Sequence, residues 1–310
     1  MSASLAIRGS DASKRVSPET RRRILEVARE LDYRPDARAV ALRMQQTNIV
    51  GYYAGYGLID VRIPFFTETI GGLQQGCEML GKNLLLHSPS AQAGSDEVFR
   101  ELIDGKVDGL VVSMLASNPM ADRLAAAHVP VVAVADPIPG IPSVIVDDVG
   151  GGRMIAEHLA EMGHKRALFA SRRGLPTSGR LRQQGFIESA ITCGLEVMVR
   201  SFDEEDEAPP YIRQAKDEGA SVIVAWNDNA ARQILKACQS AGMSLPKDMA
   251  IVGFDGCPVP YQDPFPLTTI QAPWAEVALQ AVIVLDRMLR NEPYAMETVL
   301  PVRFQRGVTT

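Results

Sequence analysis

The chain has few of the features that would commit it to a membrane, to export or to a cross-linked scaffold. Its 310 residues include four cysteines, Cys77, Cys193, Cys238 and Cys257, too scattered to form a CxxC pair. That spacing argues against a disulfide framework or a zinc site and for reduced cytosolic thiols. No run approaches the roughly 18 consecutive apolar residues that a membrane span needs. The amino terminus is polar and then basic, without the apolar core of a signal peptide, so a cytoplasmic location is expected. Catalytic signatures are missing too: there is no GxSxG elbow, no HExxH and no Walker loop. The nearest phosphate-loop candidate, Gly55-Tyr56-Gly57-Leu58-Ile59-Asp60, lacks a third glycine and does not lead directly into a helix, which argues against a dinucleotide site. No enzyme, cofactor or metal centre is expected.

What is present suits a soluble body with a small appendage. The length fits about two core-forming domains, and 46% hydrophobic residues is ordinary for a globular protein. A net charge of -5 hides an asymmetry, because basic residues crowd the first 43 positions while the remainder is acidic. Such a division suits a basic DNA-facing end on an acidic ligand-binding core. From residue 49 onward, short apolar runs alternate with amphipathic stretches. Strands are predicted over 49–54, 83–87, 109–114 and 130–135, then over 166–170, 197–202, 221–226 and 249–254. Helices are predicted near 65–80, 95–104 and 119–127, after Gly150, Gly179, Pro209 and Asp228, and over 274–290, with a final strand near 299–304. This order belongs to parallel sheets covered by helices on both faces, and two such series imply a cleft between two lobes.

Near the amino terminus, Ser17 is a natural helix cap and Pro18 suits the first helical position, where its missing N–H costs nothing. Ile24, Leu25, Ala28 and Leu31 then recur at helical spacing, while Arg21, Arg22 and Arg23 project elsewhere as a solvated basic face or a phosphate-contacting one. Ser-Pro-Glu-Thr-Arg-Arg-Arg at 17–23, followed by Ala-Arg-Glu-Leu-Asp-Tyr-Arg-Pro-Asp-Ala at 28–37, resembles the third headpiece helix and hinge of the lactose-repressor (LacI/GalR) family of transcription regulators. The resemblance continues to the C-terminus. Ser2 to Gly9 resembles the end of that family's recognition helix, which implies a helix-turn-helix whose earlier residues would lie upstream of Met1. It also implies DNA contacts from Ser2, Ser4, Arg8, Arg21, Arg34 and Ala39, with Leu42 of the hinge helix wedging into the minor groove.

Parallel sheets bind ligands beyond the carboxyl ends of their strands. At those positions stand Val146-Asp147-Asp148, Trp226-Asn227-Asp228 and Gly253-Phe254-Asp255, with Arg180 and Arg182 at the start of a helix. The resemblance assigns effector contacts to Phe65, Asp147, Arg182, Trp226, Asn227, Asp228 and Asp255. Any one strand-end aspartate reads more readily as a helix cap or loop residue, but their joint occurrence favours a cleft. Trp226 reads alike as a stacking surface or a core filler. Carboxylates, amides and a forked guanidinium suit vicinal hydroxyls, so a sugar or other polyol is the expected ligand class. Ile63 stands where the family usually has Asn, and Asp136 falls one residue beyond the family's aspartate, with Ala135 in its place. Both departures imply a different ligand preference. His164 reads as a structural turn residue.

The expected architecture is α/β, with two Rossmann-like lobes of periplasmic-binding-protein-like type I preceded by a partial headpiece and hinge helix. Headpiece and hinge are assigned to residues 1–34 and 35–47. One lobe is assigned to 48–148 plus about 274–294, the other to 149–273 plus about 295–310. The expected function is a ligand-responsive regulator, a repressor, with operator DNA and a sugar effector as partners. A homodimer is expected and a tetramer is left open. A headless sugar sensor without specific DNA binding is the alternative.

Overall fold

The computed structural model describes residues 17–33, 36–90, 92–202, 208–259 and 265–310. Two compact units divide the chain, residues 1–48 and 49–310. In the first unit, helix α1 (Pro18–Glu30) starts where the cap chemistry requires, with Ser17 Oγ accepting from the Thr20 N–H at 3.2 Å. No residue of α1 is buried. Helix α2 (Ala37–Met44) follows, and Leu42 is 84% exposed on it. Of the expected DNA contacts, Arg21 is half-buried on α1 and Ala39 is exposed on α2. Ser2, Ser4, Arg8 and Arg34 lie outside the described residues.

The second unit holds two parallel sheets. Six strands form the first: β1 (Ile49–Ala54), β2 (Asn83–Leu86), β3 (Gly109–Ser113), β4 (Val131–Val134), β5 (Ser143–Val146) and β11 (Glu297–Leu300). They lie in the order β11-β5-β4-β3-β1-β2, all parallel. Every residue of β3, β4 and β5 is buried, so these strands read as continuous apolar runs rather than alternating ones. Helices α3 (Pro64–Met79), α4 (Ser95–Leu102) and α5 (Met120–Ala125) are interleaved with them. The apolar helix α10 (Trp274–Leu289) packs along α3 and against β3, β4 and β5.

The second sheet has the order β7-β6-β8-β9, also parallel, from β6 (Arg166–Arg172), β7 (Glu196–Phe202), β8 (Val222–Ala225) and β9 (Ala250–Val252). Its helices are α6 (Asp148–Glu161), α7 (Thr177–Cys193), α8 (Ala208–Asp217) and α9 (Asp228–Ser240). An antiparallel pair, β10 (Thr269–Gln271) with β12 (Arg303–Gln305), completes this lobe.

One boundary differs from the sequence reading. The single strand expected near 299–304 is two strands, and residues 297–300 belong to the first lobe rather than the second. Pro301 is the physical reason, because it cannot donate to a ladder and ends β11 before the chain crosses over. The lobe change therefore falls between Leu300 and Arg303, and the other two crossings follow β5 and β10.

Two helical glycines bring α6 and α7 into close contact. A Cβ at Gly152 would meet the Phe186 nitrogen at 2.7 Å, and one at Gly185 would meet the Val149 carbonyl carbon at 2.8 Å. Backbone therefore packs on backbone, which sets the middle of α7 against the start of α6.

Candidate ligand cavity between the lobes

A cavity of about 450 Å³ opens between the two sheets and is lined by both lobes. The first lobe contributes the segment after β1, the amino end of α3 and Trp274 at the start of α10. The second contributes residues following β6, β8 and β9. Strand ends and helix starts converge here because every β-to-α turn of a parallel sheet falls on the same edge.

Arg182, 4% exposed, organises the cavity floor. The close approach of α6 and α7 puts its Nε within 2.8 Å of Asp148 Oδ1, while its Nη1 donates to the Trp226 carbonyl at 3.0 Å and to Asp255 Oδ1 at 3.4 Å. The guanidinium also lies 3.7 Å from the centroid of the Phe254 ring. Burial pushes the Asp148 carboxyl up to about 6 although Arg182 pulls the other way, and Asp148 Oδ2 has no hydrogen-bond partner among the described residues. Burial likewise pushes Asp255 up to about 7, opposed by Arg182 and reinforced by Asp228 and Asp148. The Trp274 indole N–H favours the charged form of Asp255 while falling short of full hydrogen-bond geometry.

Asp255 sits at φ 132°, unusual for a residue other than glycine. Its backbone is clamped by a hydrogen bond to the Ile270 carbonyl and another from the Ala272 N–H, both 2.9 Å. Asp228 is held from both sides, accepting from Thr269 Oγ1 at 2.6 Å and from the Gly256 N–H at 2.9 Å, and burial raises its carboxyl. Asn227 caps α9 through Ala230 N–H at 2.8 Å and also lines the cavity. Phe65 and Trp274 meet edge to face at 5.1 Å, and both line the cavity with Trp226.

Of the expected effector contacts, the structure brings Phe65, Arg182, Trp226, Asn227, Asp228 and Asp255 together on this cavity. Asp147 is not among the lining residues. Its Oδ1 accepts from the Gly150 N–H at 2.8 Å, so it caps α6. Its neighbour Asp148 is the residue that pairs with Arg182, and the sequence offered no means of choosing between adjacent aspartates. His164 occupies a turn, with Nδ1 2.7 Å from Ser221 Oγ.

A contact unseen in the sequence joins the lobes. Asp136, 1% exposed, follows β4 and accepts from the Tyr56 hydroxyl and from the Ser178 N–H in the first turn of α7, each at 2.7 Å. Ala135 at φ 71° turns the chain so that Asp136 takes this position. Asp136→Ala is expected to leave both donors without their acceptor, costing about 1–3 kcal/mol, and to open the lobes. Small-angle scattering of the ligand-free variant should give a larger radius of gyration, and an unchanged one would mean that other contacts hold the cleft.

Two parallel-sheet lobes linked by three crossings, with a cavity at the carboxyl ends of both sheets, define the architecture of two-lobed small-molecule-binding proteins. Residues 156–310 match the family profile described as a periplasmic binding protein-like domain. The chain belongs to that family, in the LacI/GalR group of transcription regulators. It is 25% identical over 298 residues to the HTH-type transcriptional regulator DegA of Bacillus subtilis, covering 92% of this chain and 87% of that protein. With the HTH-type transcriptional regulator CelR of Thermobifida fusca it shares 27% over 323 aligned positions, covering 97% and 92%. Among solved structures, a transcriptional regulator CelR–cellobiose complex superposes with a TM-score of 0.74 at 23% identity, covering 99% of this chain and 94% of that one. A LacI family regulator from Mycobacterium smegmatis gives 0.72 at 25% identity, covering 84% and 98%. The relatives are regulators, and this chain is a regulator rather than an enzyme. Among the described residues no helix is long and apolar enough to cross a membrane.

Proposed function

We propose that this protein is a transcription repressor that binds operator DNA as a dimer and is switched by a sugar or similar polyhydroxyl metabolite in the interlobe cavity. The observation carrying this reading is the cavity floor, where a buried guanidinium and a buried carboxyl stand beside the aromatic surfaces of Phe65, Trp226 and Trp274. Hydroxyls donate to carboxylates and accept from guanidinium, while the apolar face of a sugar ring packs on aromatics. The named ligand of the CelR complex is a sugar, which supports the same class here. The exposed Leu42 on α2 supports a hinge helix that wedges into DNA. The effector must favour one lobe arrangement over the other, since equal affinity for both would leave DNA binding unaltered.

The test is binding of the full chain to DNA flanking its own gene, in a salt series, with and without candidate sugars. Specific binding that a sugar weakens or strengthens supports the proposal. Sugar uptake without specific DNA binding would replace the repressor with a sugar sensor.

The buried carboxyls add a proton-linked expectation. Hydroxyls that donate to Asp255 favour its charged form and so release a proton held at about pH 7 in the ligand-free protein. Affinity should then rise with pH, by up to about tenfold per unit below that value. Calorimetry in two buffers of different ionisation enthalpy checks this, and equal heats would show that no proton leaves.

A further inference from the structure

We propose that Asp228 and Thr269 are positioning residues for the effector: together they hold the 253–256 turn so that Asp255 keeps its strained backbone and presents its carboxyl beside Arg182. The inference deepens the effector-cavity reading and rests on it. The family resemblance suggests a direct ligand contact for Asp228, but the bonds it makes point to a supporting role. Asp228 opens α9 and grips the turn on both sides of Asp255. Its own N–H donates to the Phe254 carbonyl at 2.7 Å, and its Oδ2 accepts from the Gly256 N–H at 2.9 Å. Its Oδ1 accepts from Thr269 Oγ1 at 2.6 Å, which ties the turn to β10.

The turn needs this support. Asp255 and Gly256 are consecutive residues at positive φ, 132° and 60°, a conformation that persists only where the surrounding structure over-determines it. Gly253 leaves the room that the support requires, since a Cβ there would run into Asp228 Oδ1. On the far side, the backbone bonds of Asp255 with Ile270 and Ala272 fix the turn to β10, and Thr269 lies next to that pairing. The two aspartates therefore divide the work. Each Asp228 oxygen already has a donor within 2.9 Å. The Asp255 carboxyl accepts only the 3.4 Å hydrogen bond from Arg182 among the described residues, and keeps acceptor capacity for a ligand hydroxyl. Thr269 is 2% exposed and does not line the cavity, so it cannot affect binding by touching the ligand.

The test compares Thr269→Val, which removes the hydroxyl at similar size, with Thr269→Ser, which keeps it. Cys257, half-buried two residues beyond Asp255, reports on the turn, and the buried Cys238 reports on the lobe as a whole. Labelling of the full chain with N-ethylmaleimide, followed by peptide mass mapping, should show Cys257 reacting about tenfold faster in Thr269→Val, with Cys238 unchanged. Calorimetry against glucose, galactose, ribose, xylose, cellobiose and maltose gives the second readout. Affinity for the tightest of these should fall about tenfold in Thr269→Val and return to the parent value in Thr269→Ser. Asp228→Asn should lower it too, and adding Thr269→Val should cost little more, because the two residues share one bond. Affinity lost in Asp228→Asn but kept in Thr269→Val would make Asp228 a ligand contact and overturn the inference. So would Cys257 and Cys238 labelling faster together, which marks loosening of the whole lobe, or a Thr269→Ser protein no better than Thr269→Val. If no sugar of the panel binds the parent below about 1 mM, the effector-cavity reading itself falls and the positioning role with it, whatever the Cys257 rates show.

Discussion

Arg182→Leu is expected to cost about 3–5 kcal/mol of stability near pH 8 and distinctly less near pH 5. The leucine approximates the volume of the stem but leaves Asp148, Asp255 and the Trp226 carbonyl without their buried donor. Uncompensated buried carboxylates are the expensive part, and they can escape by taking up protons. Already in the intact protein Asp148 and Asp255 sit near 6 and 7, and without Arg182, which holds both down, they rise further. A carboxyl raised in the folded state binds protons there that the unfolded chain has released. Its presence makes stability fall as pH climbs from about 4 through the folded value. The variant should therefore show a steeper decline over that window than the parent. Urea unfolding at the two pH values measures it, and an equal loss at both would mean that Arg182 contributes packing and cation–π contact but little charge compensation. Adding Asp148→Asn should recover part of the loss at high pH.

Gly185→Ala is the second large effect, about 1–3 kcal/mol from overpacking, towards the upper end because the obstacle is backbone. The added methyl would strike the Val149 carbonyl, and α7 must shift away from α6 to make room. Arg182 lies nearly one turn earlier on the same helix, so its hydrogen bond to Asp148 lengthens in the same movement. Ligand affinity should fall along with the melting temperature. Ile191→Ala on the solvent side of α7, where Ile191 is 73% exposed, should change neither. A Gly185→Ala protein that melts lower yet binds ligand normally would uncouple the helix contact from the site.

Much of the body was legible because its strands are buried on both faces and its helices are amphipathic. The runs at 49–54 and 109–114 fall within a residue of β1 and β3. The strand-end rule also pointed to Trp226, Asn227, Asp228 and Asp255, which line the cavity because the fold delivers every β-to-α turn to one edge. Three things escaped for identifiable reasons. Asp147 and Asp148 are neighbours whose roles depend on which one enters the first turn of α6, a matter of one residue in register. Asp136 reaches Ser178 only because Ala135 adopts a positive φ, which no propensity for alanine would suggest. Arg172 and Arg232 come from different elements, and only the folded cavity brings both to its lining.

The position of β11 carries a consequence for synthesis. Glu297 pairs with Ser143, so the outer strand of the first sheet leaves the ribosome long after its partner strand β5. The four strands of the second sheet, all within residues 166–252, are translated before that pairing is available. The lobe made first is thus left unfinished until the whole second sheet has been made, with β5 as an open edge for the length of the intervening chain. Losing only the final fourteen residues would remove β11 and β12 together, and with them the closing strand of each lobe.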